Sequence, residues 1–272
     1  MERKINFNSY DGTELVGIYS YPDNNKVKSA FLLMHGIPSD KNEWGFYSDM
    51  ANFLSQNGYS SFRFDFRYNG ESQQNSISKL TLSEMVNDIE SAYKILLENI
   101  NNKTSVFLVG TSCGGGVTVR WCNIFGRKIK KIFLMAPVFD YEYEITGIRR
   151  EYEHSCQSSF LTLDHLNFLQ LNGYLNNEIQ YGREMINEAH IFNARGEIKT
   201  LKINVIIFQG TADTVVPISI TKKIIENQNN CTLIEIPDAD HGFAVSGDDD
   251  LTKPGTKQNH FFVYNEMLKR LR

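Results

Sequence analysis

The chain has 272 residues, of which 41% are hydrophobic and 22% charged, with 28 basic against 32 acidic side chains and a net charge of −4. This composition excludes intrinsic disorder and low-complexity classes, and the length allows roughly three quarters of the unfolded surface to be buried without staples. No run of Lys or Arg exceeds two residues, which argues against nucleic acid or an anionic membrane surface as a partner.

Two patterns alternate along the chain. Glu14 to Pro22 alternates like a strand, and Ser29 to Gly36 is a continuous apolar run of the kind buried on both faces of a parallel sheet. Tyr59 to Phe66 places Phe62, Phe64 and Phe66 at period two. Helical spacing follows in Leu82, Met85, Val86, Ile89, Ala92, Tyr93 and Leu96, with Thr81 and Glu84 predicting a capping box. Ser105 to Gly110 reads as the next strand, and a helix is expected just after Ser112. Lys131 to Pro137 is another strand. The rhythm then breaks from Tyr141 to Lys199, an aromatic and charged stretch without flanking linkers, read as an insertion. Asn204 to Gly210 and Cys231 to Asp238 complete the strands. Helices are expected near Pro217, a good first helical residue, and near the C-terminus, with Phe262, Met267, Leu268 and Leu271 on its apolar face. Strands alternating with helices predict an α/β fold with a mostly parallel sheet covered on both sides.

Gly110 to Gly114 spells G-T-S-C-G. A serine hydroxyl is a poor nucleophile, so a fold that uses one must present it where a base and an oxyanion site converge. A sharp strand-to-helix turn flanked by glycines does this, and the helix that follows aims N–H groups at developing negative charge. Five letters alone also fit a glycine-rich turn with an inert serine, but here they follow a strand and precede a helix. His35-Gly36-Ile37 ends another strand and is placed to offer the backbone N–H of Ile37 as a second oxyanion donor, beside that of Cys113; His35 itself reads equally as a structural histidine. Asp213 follows a strand in QGTADTVVP, and His241 follows the last strand in DADHGF. Ser112, Asp213 and His241 thus stand in the chain order of a serine hydrolase triad on an α/β sheet.

One rival stands close by: Cys113 neighbours the serine but should point away from substrate. The six histidines show no HxH or HExxH spacing, so no metal and no cofactor are expected. The four cysteines, Cys113, Cys122, Cys156 and Cys231, are scattered without a C-x-x-C pair, which predicts neither a zinc site nor a disulfide framework. Met1 to Asn8 lacks the apolar stretch of a secretory signal, and the longest apolar run, Ile132 to Phe139, is too short to span a bilayer. A cytoplasmic, reducing setting is the expectation.

The motifs LLMHG, FRFDFRYNGES, LVGTSCGG, QGTADTVVP and DADHGF resemble the α/β-hydrolase family from about residue 10 to 272 outside the insertion. Within it the chain is most similar to serine esterases of the feruloyl/cinnamoyl type and to the serine-aminopeptidase and monoacylglycerol-lipase group. The resemblance implies an eight-stranded α/β-hydrolase core at 1–140 and 200–272, and a cap at 141–199 inserted after strand six. It also brings in Asp140, just after the Lys131–Pro137 strand, as a rival for the acid, since some members place it there; the GTADTVVP context favours Asp213. It departs from the family's Asp-x-Arg-Gly-x-Gly-x-Ser loop: Asp65 and Arg67 match, Tyr68 replaces the first glycine, Asn69 intervenes, and Gly70 and Ser72 follow. The implied activity is hydrolysis of a small-molecule carboxylic ester through an acyl-enzyme. Thioester or amide cleavage and acyl transfer use the same residues, and a hydrolase fold that has become an inactive binding module is the non-enzymatic alternative. Tyr143, Phe160, Phe168, Tyr174 and Tyr181 are the cap aromatics expected to contact substrate.

Overall fold

A computed structural model describes residues 1–146, 161–175 and 179–271. Its main sheet has eight strands in the spatial order β1-β2-β4-β3-β5-β6-β9-β10. These are β1 (Glu2–Asn8), β2 (Glu14–Ser20), β3 (Ser29–Met34), β4 (Ser60–Phe64), β5 (Ser105–Thr111), β6 (Lys131–Met135), β9 (Val205–Gly210) and β10 (Cys231–Ile236). A ribbon of β7 (Tyr174–Leu175) and β8 (Tyr181–Gly182) lies apart from it. Only β2 runs antiparallel to its neighbours; β4, β3, β5, β6, β9 and β10 pair in parallel.

Alternation along the central strands divides the apolar residues between two cores. On one face Leu32, Met34, Leu108, Ile132 and Leu134 pack with α2 (Leu82–Glu98) and α3 (Ser112–Phe125). On the other, Phe31, Leu33, Phe107, Val109, Phe133 and Phe208 pack with α1 (Phe46–Gln56) and α9 (Pro254–Lys269). Both faces are dry, which is why these strands read as unbroken apolar runs.

The expected capping box of α2 is present: the Thr81 hydroxyl accepts from Glu84 N at 3.2 Å, and the Glu84 carboxylate accepts from Thr81 N at 3.1 Å. Pro217 stands one residue earlier than expected, as the N-cap of α8 (Ile218–Ile225). The C-terminal helix buries Val263, Tyr264 and Met267, whereas Phe262 is partly exposed and Leu271 lies beyond the helix end. Burial falls on that face because α1 packs there: the Tyr264 hydroxyl donates to Phe46 O at 2.8 Å, and the two rings lie 5.2 Å apart.

Between β6 and β9 the described residues form α4 (Tyr141–Thr146), α5 (Leu163–Asn172), the β7–β8 ribbon, α6 (Arg183–Ile191) and α7 (Ala194–Thr200). Helix α7 rejoins the helical layer beside α3, where Glu197 pairs with Arg120 and its carbonyl accepts from Asn123. The loop after β4 is held by buried charge. Arg67 forks onto Asp88 at 2.6 Å, and Asp65 accepts from both Lys41 N and Lys41 Nζ at 2.7 Å. Tyr68, standing where the family pattern has glycine, adopts a left-handed φ of 64°.

Candidate active site

Strand β5 ends at Thr111 and α3 starts at Ser112, whose φ of 48° lies in the left-handed region that a side chain enters at a cost. The surroundings hold that conformation. Val138 N donates to Ser112 O at 2.9 Å, the Tyr141 hydroxyl donates to Cys113 O at 2.6 Å, and the Tyr47 hydroxyl meets Thr111 Oγ1 at 2.6 Å. The flanking glycines are required by close approach. A Cβ on Gly110 would sit 2.7 Å from Thr118 Oγ1, and one on Gly114 would sit 2.7 Å from Met34 O and collide with His35 O.

His35 is buried and doubly bonded. Its Nε2 accepts from Phe66 N at 3.0 Å, which leaves Nδ1 to donate to Gly36 O at 2.6 Å. Burial drives its pKa down, so the ring is neutral and spends both nitrogens on the loop that carries Ile37. Neither Ile37 N–H nor Cys113 N–H has an acceptor among the described residues.

His241 Nδ1 lies 3.0 Å from Asp213 Oδ2. Asp213 is fixed in turn: its Oδ1 accepts from Val215 N at 3.0 Å and Val216 N at 2.9 Å, and Gln209 Nε2 donates to Oδ2 at 3.3 Å. The loop bearing His241 is tied by Asp240 Oδ1, which accepts from Gly242 N and Ala244 N. Burial lowers the His241 pKa, but the hydrogen bond and charge of Asp213, aided by Glu144 and Glu43, outweigh it and raise the value above that of free histidine. With Nδ1 donating to Asp213, Nε2 is the nitrogen left to accept a proton.

Ser112, His241 and Ile37 line one cleft of about 500 Å³, together with Glu43, Trp44, Phe46, Glu144, Ile179 and Val215. Among the described residues His241 bonds Asp213 and no hydrogen bond joins it to Ser112, though both line the cleft. Asp140 lies elsewhere, accepting from Tyr143 N at 3.2 Å and facing Arg195 at 3.7 Å. Cys113 is buried in the apolar core, and burial pushes its thiol well above the ordinary range, which disfavours the thiolate a nucleophile needs.

The expected cap aromatics fall differently. Phe160 lies outside the described residues. Tyr143, Phe168, Tyr174 and Tyr181 do not line the cleft; Phe168 packs on Tyr174 at 6.2 Å, and the Tyr181 hydroxyl donates to Glu144 Oε1 at 3.2 Å. From the segment between β6 and β9, Glu144 and Ile179 line the cleft. Glu43 and Glu144 are among the pocket residues that sequence reasoning missed. Neither spacing nor composition marks them: the inward aim of Glu43 depends on the left-handed turn at Glu43 and Trp44, and Glu144 is held by the Tyr181 hydroxyl from a distant part of the chain.

The profile of the family described as serine aminopeptidase, S33, matches residues 25–167. Among curated proteins the chain is 28% identical over 124 residues to the Mycoplasma genitalium protein provisionally named esterase/lipase 2, covering 46% of this chain and 43% of that one. It is 27% identical over 123 residues to protein phosphatase methylesterase 1 of Candida albicans, covering 44% of this chain and 32% of that one. The match thus spans less than half the length of each relative. Among solved structures, Est1E of Butyrivibrio proteoclasticus with bound ferulic acid superposes with a TM-score of 0.76 at 17% identity, over 98% of this chain and 99% of that one. The mouse alpha/beta hydrolase domain-containing protein 10 gives 0.73 at 14%, over 99% and 100%. The fold is that of the α/β hydrolases.

Proposed function

As the chain belongs to the serine aminopeptidase S33 family, we propose that it is a serine hydrolase that cleaves a small carboxylic ester through an acyl-enzyme. The observation that carries this reading is the strained Ser112 elbow opening into the same cleft as the Asp213-bonded His241. In the proposed reaction His241 Nε2 takes the Ser112 proton as Oγ attacks the carbonyl carbon. The Ile37 and Cys113 N–H groups hold the tetrahedral oxyanion, and the imidazolium then protonates the leaving alkoxide. Water repeats the sequence on the acyl-enzyme and releases the acid. Asp213 fixes the imidazole tautomer and stabilises its charged form.

Turnover of p-nitrophenyl acetate, labelling of Ser112 alone by a fluorophosphonate, and loss of both in Ser112→Ala are the expected results. Unaltered turnover in Ser112→Ala, or labelling at another serine, overturns the assignment.

A second reading is favoured by one feature. The described residues lining the cleft include Glu43, Glu144, Asp240, Asp248 and Asp249 and no Lys or Arg, a lining that suits an amine-bearing amide or peptide substrate. Comparing kcat/KM for an aminoacyl anilide with that for its N-acetylated counterpart separates the two readings.

A further inference from the structure

The turn between β3 and α1 aims a carboxyl group at the site. Glu43 and Trp44 both adopt left-handed φ angles, 47° and 53°, followed by Gly45 at 91°. Two successive non-glycine residues in that region are costly, and such strain persists only where the surroundings enforce it. Here Glu43 N donates to Asp40 O at 2.9 Å, Gly45 N to Asn42 O at 3.0 Å, and Tyr47 N to Asn42 O at 2.9 Å. The result sends the two side chains opposite ways. Trp44 is 71% exposed at the mouth of the cleft, while the Glu43 carboxyl turns in beside Ser112.

Glu43 Oε2 accepts from Gly36 N at 2.6 Å. A methyl group at Gly36 would lie 3.1 Å from Ser112 Cβ, 3.4 Å from Glu43 Oε1 and 3.7 Å from Ser112 Oγ, so the carboxyl and the hydroxyl flank one point of the loop that carries Ile37. His35 anchors the carbonyl of Gly36 and Glu43 anchors its N–H. Both polar groups of the residue before Ile37 are therefore committed.

We propose that Glu43 is a positioning residue of the reaction: its carboxylate clamps Gly36 so that the Ile37 N–H is presented to the oxyanion, and its negative charge, facing the same cleft as His241, supports the imidazolium.

The charged groups around it fit this role. Burial pushes the Glu43 carboxyl up to about 7, against the Gly36 hydrogen bond and the attraction of His241, while Asp40 pushes it further up. Tyr47, from α1, also faces it, and its buried phenol is held neutral far above its ordinary range. On the other side His241 meets Asp213, Glu144 from the inserted segment, and Glu43. Glu43 thus raises the His241 value while His241 lowers that of Glu43, and an activity profile reflects both groups rather than either alone.

This inference rests on the serine-hydrolase reading, and two variants with two readouts test it separately from that reading. Glu43→Gln keeps the shape and an acceptor for Gly36 N but removes the charge; Glu43→Ala removes both. The first readout is the His241 imidazole titration by NMR, which needs no activity. Glu43→Gln is expected to lower it by about half a unit or more and to leave a single-proton curve. The second is kcat on p-nitrophenyl acetate at a pH where His241 is neutral: Glu43→Ala should lose at least tenfold more than Glu43→Gln. An unshifted His241 titration in Glu43→Gln, or equal kcat losses in the two variants, overturns the proposal. If fluorophosphonate fails to label wild-type Ser112, the hydrolase reading fails, and the NMR titration still decides whether Glu43 acts on His241.

Discussion

Replacing Asp213 with asparagine separates orientation of His241 from everything else that Asp213 does. The carboxylate accepts from Val215 N, Val216 N, Gln209 Nε2 and His241 Nδ1. The asparagine Oδ1 can keep both backbone donors, which forces its NH₂ to face the imidazole. Gln209 retains its 2.6 Å bond to Val216 O. The fold then loses about 1–3 kcal/mol, the cost of imperfectly met buried donors, and Tm falls by several degrees. The imidazole pays differently: facing a donor, Nδ1 must accept, Nε2 carries the proton, and no lone pair remains for the Ser112 hydroxyl. Loss of the correct tautomer is expected to cost about 10⁴-fold in kcat, roughly 5.5 kcal/mol of barrier. The assay is steady-state hydrolysis of p-nitrophenyl acetate, with a melting curve to show that the variant is folded. Asp140→Asn is the control: Asp140 is buried but accepts from Tyr143 N and faces Arg195 rather than His241, so kcat should stay within about threefold of wild type, far from the loss a wrong imidazole tautomer brings. A folded Asp213→Asn enzyme retaining more than a tenth of kcat, or an Asp140→Asn loss as large, refutes the reasoning.

Other perturbations probe other parts of the molecule. Gly114→Ala drives a methyl group into the carbonyl oxygens of Met34 and His35, and should cost about 1–3 kcal/mol through overpacking as well as most of the activity; a wild-type melting curve would show that the elbow has room. Asp88→Ala leaves the buried Arg67 with the neutral Ser9 hydroxyl and the outer carboxylates of Asp11 and Glu84, so urea denaturation should register a loss of about 3 kcal/mol or more, and a change under about 1 kcal/mol would show that the pair contributes little to stability. Ile179→Ala trims one wall of the cleft; kcat/KM for a bulky acyl ester should drop up to about tenfold while acetyl ester turnover holds, and equal losses would assign the residue to scaffold.

Much of the core was legible because burial on both faces leaves an unmistakable trace: the strands around Phe31, Phe107, Phe133 and Phe208 admit no polar alternation. Helix α2 announces itself through its spacing and its cap. Strand β1 does not, since at the sheet edge its ERKINFN sequence exposes most of its side chains. Helix α1 carries apolar spacing in Phe46, Met50, Ala51 and Leu54, but its N-cap is Gly45, without a side-chain cap, so no start signal marks it. In the candidate site, Ser112, Asp213 and His241 follow from local motifs. Glu43 does not, because its inward aim depends on two left-handed residues rather than on any neighbour in sequence. The aromatics expected to contact substrate were hard to place for a related reason: composition tells what the segment between β6 and β9 contains but not which of its side chains line the cleft.

The Tyr264–Phe46 hydrogen bond joins residues 218 positions apart, and it sits under the turn that holds Glu43. Parallel strands β3, β5, β6 and β9 are likewise joined only across long crossovers. Such distant pairings make for slow folding, since each loop must close before its contacts reward it. During synthesis the ribosome would release β3, α1 and β5 well before α9 exists, leaving Phe46, Tyr47 and Met50 without their cover. The nascent chain would therefore depend on its last helix to hide that aromatic surface, and the interval before α9 emerges is when aggregation or chaperone capture should be greatest.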